Sequence, residues 1–187
     1  MKHFYALLFI LTFTFQVFAQ EFPQNEIKYN IANTLIIASV EVGYERFIGY
    51  DQSVEIEFLI NDRINYHTEE GSRDFKTNSV KLGYNYYFGT DNPGSGLYLN
   101  PMVKYRFGDF EEEINTLNAG GEIIDSRKET TDMSGFIIGI GVGYKWNFSN
   151  SFVVALYGNI GRNFSDEIKE RFTAIEGYGG LGIGYRF

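Results

Sequence analysis

The chain ends on the stretch Gly184-Tyr185-Arg186-Phe187, and the same glycine–aromatic phrase occurs three times before it. The earlier copies begin at Gly43, Gly83 and Gly143, so consecutive copies lie 40, 60 and 41 residues apart. Recurrence at such intervals indicates one supersecondary unit that is used repeatedly. Aromatic rings at the same end of every second strand are typical of β-barrels in membranes, where the rings settle at the boundary between water and lipid.

Between these phrases apolar and polar side chains alternate, which is the pattern of a strand with one buried face. Over residues 79–88, valine, leucine, tyrosine and phenylalanine share one face, opposite serine, lysine, glycine, asparagine and a further tyrosine. Strands are predicted near 26–36, 39–48, 53–66, 75–88, 97–109, 132–148, 151–162 and 173–187. Most are long enough for a tilted membrane span of about 9–11 residues. The sequence therefore predicts an all-β fold, a transmembrane antiparallel up-and-down β-barrel of about eight strands.

The predicted connections alternate in length. Short turns are expected at 49–52, 89–96 and 148–151, and longer polar loops at 67–74, 110–131 and 163–172. Bacterial outer-membrane barrels have short periplasmic turns and longer outer loops. The connection near Ala38 and Ser39 is tight for an outer loop.

This orientation places the four aromatic phrases together at the periplasmic rim. Aromatic side chains at such a rim anchor a protein in the membrane interface. The predicted rim consists of Tyr44, Phe47, Tyr86, Phe88, Trp146, Phe148, Tyr185 and Phe187.

The faces predicted to point into the barrel carry charges of both signs. The predicted lumen network consists of Glu41, Glu45, Glu55, Glu57, Lys81, Lys104, Arg106, Lys145 and Arg186, with Lys28, Arg63 and Glu176 on the same faces. An unpaired buried charge is very costly, so these groups should pair across the lumen. Because eight strands enclose a space just wide enough for side chains, we expect a salt-bridged plug. Alternatively, these charges lie on the solvated face of a soluble sandwich.

Residues 1–19 have the pattern of a secretory signal peptide, with Lys2, an apolar stretch from Phe4 to Phe15, and small side chains at the predicted cleavage site before Gln20. Residues 20–187 then form the barrel domain. The chain has no cysteine, which excludes disulfides, thiolate metal sites and a lipid-modified cysteine. Its net charge of −8 argues against nucleic acid as a partner.

With these features the chain resembles the small outer-membrane β-barrel superfamily of the OmpX and OmpA transmembrane-domain type. In that family a C-terminal Gly-x-x-aromatic-x-aromatic signal is read by the barrel assembly machinery. Gly182, Tyr185 and Phe187 match it, whereas Gly180 stands where the family usually has a polar residue. The leader and the Gly-Tyr-rich strands are also similar to barrels of Bacteroidetes-type bacteria. The chain stops at Phe187, so the sequence predicts no peptidoglycan-binding domain after the barrel.

Residues suited to catalysis are few. His67 lies near Glu69, Glu70 and Ser72, and a Ser–His–acid arrangement would suit a lipid-A-modifying enzyme. No local motif fixes these residues, so the preferred interpretation is a solvated loop histidine. The acids of 110–131 could hold a divalent cation, although their spacing is not that of an EF-hand. We therefore predict no catalytic, cofactor or metal site.

The sequence thus predicts a non-enzymatic integral outer-membrane barrel of a Gram-negative cell envelope, with a structural or surface-interaction role. Its expected partners are outer-membrane lipids and lipopolysaccharide, and the barrel assembly machinery during insertion; no surface partner is indicated. Three alternatives remain open: transport of small hydrophobic molecules, lipid-A modification, and a secreted lipocalin-like carrier with a ligand cavity.

Overall fold

The computed structural model describes residues 23–61, 66–68, 71–89, 92–117, 120, 123–148 and 151–187. The predicted signal peptide therefore lies outside the described residues. Among these residues, ten strands and two short helices follow one another. They are β1 (Asn25–Asn30), α1 (Ile31–Ile37), β2 (Val40–Phe47), β3 (Gln52–Ile60), β4 (Tyr66–Thr68), β5 (Gly71–Tyr87), β6 (Gly96–Leu117), β7 (Ile123–Asp132), β8 (Gly135–Asn147), β9 (Phe152–Asn163), α2 (Asp166–Arg171) and β10 (Ile175–Arg186).

Eight of these strands close into a ring in the order β1-β2-β3-β5-β6-β8-β9-β10, and every neighbouring pair is antiparallel. The last strand returns to the first, with Tyr185 opposite Ile27 and Gly182 opposite Asn30. The predicted eight-stranded up-and-down barrel is confirmed. The three short turns lie at one end of the ring, here called the turn end, and the longer connections lie at the other, the hairpin end.

The outer wall of the ring is apolar because alternate residues of each strand point outward. On β8, for example, Ile138, Ile140, Val142 and Tyr144 are about half exposed, whereas Ile137 is fully buried. Of the predicted aromatic rim, Tyr44, Tyr86, Phe88, Trp146, Phe148, Tyr185 and Phe187 are exposed. They lie at or next to the ends of strands that finish at the turn end.

Phe47 is a correction to the predicted rim, since its side chain is only 2% exposed. The period of two along β2 places it on the same inward face as Glu41 and Glu45. It packs inside the turn end against Tyr87 and Tyr98.

The predicted first strand, 26–36, is wrong beyond Asn30. The Asn30 side chain accepts a hydrogen bond from the backbone N–H of Asn33 at 3.1 Å, which is the N-cap arrangement that begins a helix. Ala38 adopts a left-handed conformation that ends α1. The connection near Ala38 and Ser39 is therefore short because it joins α1 to β2, and the link between β1 and β2 includes the whole helix.

Two of the predicted loops also contain regular structure. The range 110–131 is mostly strand, because β6 continues to Leu117 and pairs with β7. Together with the first part of β5, these segments form a sheet beyond the ring, here called the extension (71–77, 108–117 and 123–132). The loop 163–172 contains α2, and 67–74 contains β4 and the start of β5. The polar side chains of these segments predicted loops, but a strand exposed to water on one face also carries polar side chains.

Among the residues described, no helix is long and apolar enough to cross a lipid bilayer.

At the turn end, the connection between β5 and β6 folds across the barrel opening. Gly94 donates its backbone N–H to the carbonyl oxygen of Tyr50 at 3.0 Å. It has a φ of +58°, and a Cβ atom placed on it would overlap the ring of Phe47. Glycine is therefore required there both by the backbone conformation and by the contact.

Gly94→Ala is expected to lower stability by about 2–4 kcal/mol, from left-handed strain and overpacking together. Gly89→Ala is the matched control, because Gly89 has a φ of +51° but a Cβ atom placed on it would meet no atom of the described residues within 4 Å. The control should lose only about 1–2 kcal/mol. Urea unfolding in detergent measures both, and equal losses would contradict the close packing of the turn on Phe47.

Candidate functional site: the charged barrel interior

The interior of the ring is polar and electrically balanced. Among the described residues of the ring, six carboxylates and six cations point inward. They are Glu26, Glu41, Glu45, Glu55, Glu57 and Glu176 with Lys28, Lys81, Lys104, Lys145, Arg106 and Arg186. Most are less than a tenth exposed. An equal number of both signs lets buried charges be compensated without a bound ion.

Lys145 is the centre of the network nearest the turn end. Its ammonium nitrogen lies 3.0 Å from a carboxylate oxygen of Glu26 and 2.7 Å from one of Glu45. Glu45 also accepts hydrogen bonds from the hydroxyls of Ser53 and Tyr87, each at 2.5 Å. Lys145 is the nearest cation to Glu45, since the next nitrogen from this carboxylate is that of Lys28 at 3.3 Å.

Lys28 and Lys81 continue the network around the middle of the barrel. Both ammonium groups bind the carboxylates of Glu55 and Glu57, with Lys81 2.9 Å from Glu55 and Lys28 3.1 Å from Glu57. A Cβ atom on Gly83 would lie 2.7 Å from a carboxylate oxygen of Glu55. Inward glycines thus make room for long charged side chains from the neighbouring strands.

Arg186 makes several contacts at the turn end of the interior. Its Nε donates to Glu26 at 2.8 Å, and its two terminal nitrogens donate to the backbone carbonyls of Pro93 and Gly94. The guanidinium also lies over the ring of Phe47, 4.6 Å from its centre. One side chain of the last strand therefore ties the first strand to the turn that covers the opening.

Towards the hairpin end, Arg106 forms a two-nitrogen pair with the carboxylate of Glu176. Beyond it the interior becomes apolar where α2 folds inward. Ile168 of α2 is fully buried against Phe110 and Met133, and Phe75 and Phe172 pack on this cluster. Apolar side chains of α2, the extension and Met133 thus pack together at this end of the interior.

One small cavity lies among the central charged residues described above. The cavity among the central charged residues has a volume of about 20 Å³. Its lining includes Lys28, Glu55, Lys81 and Lys145. This is room for about one water molecule.

The extension carries its own ion pairs. The carboxylate of Glu111 lies 2.8 Å from the ammonium of Lys76 and 2.9 Å from that of Lys128. Hydrogen bonds from Lys128 and Lys76 lower the pKa of Glu111 to about 2. Glu112 pairs with Arg73 and Arg171. The acids of 110–131 that are described here are thus largely neutralised by neighbouring cations, and in this part of the chain no group of His, Asp and Glu side chains could hold a metal ion.

Each residue of the predicted lumen network points inward, and the structure brings most of them into the pairs described above. Arg63 and the side chain of His67 lie outside the described residues. Sequence analysis missed Glu26, although it shares the inward parity of Lys28 on β1 and could have been found by that signal. It also missed Tyr157 and Asn30, neutral groups whose hydrogen bonds to Glu41 leave no charge pattern in the sequence.

A family model described as a protein of unknown function, DUF3575, matches residues 4–185. The chain belongs to this family. No protein with a curated description matches its sequence. The family description assigns no activity, so the function has to be argued from the barrel itself.

Solved structures with a similar fold are small outer-membrane barrels. The N-terminal β-barrel domain of Pseudomonas aeruginosa OprF aligns over 90% of this chain and 100% of that one, with 18% identity and a TM-score of 0.50. Ail, the attachment invasion locus protein of Yersinia pestis, aligns over 89% and 99%, with 16% identity and a TM-score of 0.53. These similarities establish the fold: the chain has the outer-membrane β-barrel architecture that its resemblance to the OmpX and OmpA type implies.

Lys145→Met is expected to destabilise the barrel by about 3–5 kcal/mol, because the buried carboxylates of Glu26 and Glu45 lose a shared cation and the interior keeps a surplus negative charge. Adding Glu45→Gln should restore part of the loss. Lys169→Met is the matched control, since Lys169 pairs with the exposed Asp166 at 2.9 Å and should contribute no more than about 1 kcal/mol. Urea unfolding of the detergent-solubilised protein measures all three. Equal losses for the two lysine variants would contradict the central role of Lys145.

Proposed function

We propose that this chain is a non-enzymatic integral protein of the bacterial outer membrane, with a closed, charged interior and a structural or surface-interaction role. The observation that carries the proposal is the interior itself. Six carboxylates and six cations fill the ring, and about 20 Å³ remains among the central ones. A path for ions or solutes would require these pairs to separate inside a low-dielectric space, which is costly.

The apolar outer wall supports placement in a membrane. In a bilayer the half-exposed aliphatic side chains of the ring would face lipid, and the seven exposed rim aromatics would lie at the periplasmic interface. In this orientation Gly182, Tyr185 and Phe187 form the signal read by the barrel assembly machinery. Residues 1–19 would direct export and be removed before Gln20.

A surface-interaction role is supported by the extension. It stands beyond the ring at the hairpin end, opposite the rim, and α2 holds it through Ile168 and the pair between Arg171 and Glu112. Surface loops supported by a rigid scaffold are where barrels usually carry recognition. Contact with lipopolysaccharide would occur around the base of this extension.

Reconstituted in a planar lipid bilayer, the protein is expected to give no recurrent conductance steps in KCl, because the ion pairs leave no continuous path. A water-filled porin measured in the same membranes confirms that conduction is detectable. Recurrent steps of one size that scale with the amount of protein would contradict the closed interior.

Orientation is tested with an epitope inserted after Gly120, in the connection between β6 and β7. An antibody added to intact cells should bind this variant, because the extension faces outward. The matched control carries the epitope after Gly49, in a short turn, and should bind only after the outer membrane is permeabilised. The reverse pattern would overturn the proposed orientation. If the antibody binds neither variant in membrane fractions prepared without detergent, the proposed outer-membrane location is overturned.

A further inference from the structure

The barrel wall is low at β1. This strand has six residues and is therefore about 20 Å long. Because strands are tilted by roughly 45° from the barrel axis, it rises about 14 Å along that axis. It starts level with the other strands, since Asn25 exchanges backbone hydrogen bonds with Phe187 at the turn end. The apolar band of an outer-membrane barrel is about 25 Å tall. The top of β1 therefore lies inside that band.

The neighbouring strand β10 is much taller. Its last pairing with β1 joins Gly182 to Asn30, whereas residues 175–181 pair with β9 on their other side only. On the other flank, β2 begins at Val40, opposite Ile60 of β3. A notch thus opens in the wall above β1, between β10 and β2. An open strand edge exposed to lipid would leave unpaired backbone groups, which the bilayer does not tolerate.

Helix α1 fills this notch. It follows β1 directly and packs against β10 and β2. Its outward side carries Leu35 and Ile36, which are 79% and 78% exposed. These are the two largest exposed fractions among the large apolar residues of the described chain. They continue the apolar outer wall across the gap left by β1.

Bonds within the segment satisfy part of each end of α1. The Asn30 side chain caps the first turn, and the backbone N–H of Ser39 donates to the carbonyl of Asn33 at 3.2 Å. The Thr34 hydroxyl lies 2.8 Å from the carbonyl oxygen of Ser39. Such caps also occur on helices in water, and in lipid they supply partners that solvent cannot.

The inner side of α1 is held by Glu41. Its carboxylate accepts hydrogen bonds from the side-chain amides of Asn30 at 3.0 Å and Asn33 at 2.9 Å, and from the hydroxyl of Tyr157. The helix is therefore polar towards the barrel interior and apolar outward. This is the arrangement required of a segment that separates a charged interior from lipid.

We propose that α1 is an intramembrane segment that seals the notch above β1 and places Leu35 and Ile36 among the acyl chains of the surrounding lipid. The inference rests on the proposed outer-membrane location. The occupant is lipid hydrocarbon because the height of β1 puts the helix at membrane depth and because its exposed residues continue the apolar wall.

The test uses tryptophan quenching by lipids with brominated acyl chains. Trp146→Phe removes the single native tryptophan, and Leu35→Trp then adds a probe on α1. Two matched controls in the same background are Ile140→Trp, on the apolar wall, and Ile124→Trp, on the extension. Each full-length protein is reconstituted in phosphatidylcholine vesicles with and without bromine, and folding is checked by heat-dependent gel mobility.

Leu35→Trp is expected to lose as large a share of its emission as Ile140→Trp, and Ile124→Trp to lose much less. If the wall probe is quenched while the α1 probe behaves like the extension probe, α1 lies outside the lipid and the inference is overturned, with the barrel still in the membrane. If the wall probe is not quenched either, the proposed membrane location itself fails. Ile36→Trp replaces Leu35→Trp if the latter does not fold, since its side chain is equally exposed.

Discussion

The structure depends on compensating the charges inside a narrow ring, by ions of opposite sign for most groups and by neutral hydrogen-bond donors for Glu41. A cation or carboxylate buried alone costs several kcal/mol, whereas a pair with good geometry recovers most of that cost. The ring meets this condition with equal numbers of both signs, arranged so that each ammonium of Lys28, Lys81 and Lys145 touches at least two carboxylates. Most apolar side chains of the ring lie on its outside, whereas in a water-soluble protein they lie in the interior.

Different contacts hold the two ends of the interior. At the turn end a single arginine of the last strand joins a carboxylate of the first strand, an aromatic ring and two carbonyls of a turn. At the hairpin end a short helix inserts one isoleucine into an aromatic cluster. The contacts at the turn end are directional bonds that join the last strand to the first strand and to a turn. The contacts at the hairpin end are apolar packing against strands that extend beyond the ring.

Much of this fold could be predicted from the sequence, because period-two alternation determines which face of each strand is apolar. The strand count, the short turns and the inward charges all follow from that period. The pairing partners could not be predicted, because a period gives the face of a residue and not its neighbour across the lumen. Phe47 shows a second limit of prediction from the sequence. The repeated aromatic phrase predicted that it lies at the rim, but it is two residues from Glu45 on the same strand and therefore points inward with it. The helix after Asn30 was missed because a capping asparagine and an apolar run also fit a strand.

The balance of charges inside the ring has a consequence for how such a sequence can change over generations. A substitution that removes or reverses one interior charge leaves a surplus that no solvent can screen. Two substitutions that exchange the signs of a contacting pair, such as Lys81 and Glu57, leave the total unchanged. Interior positions of related barrels are therefore expected to vary in coupled pairs, while the lipid-facing positions vary singly among apolar residues.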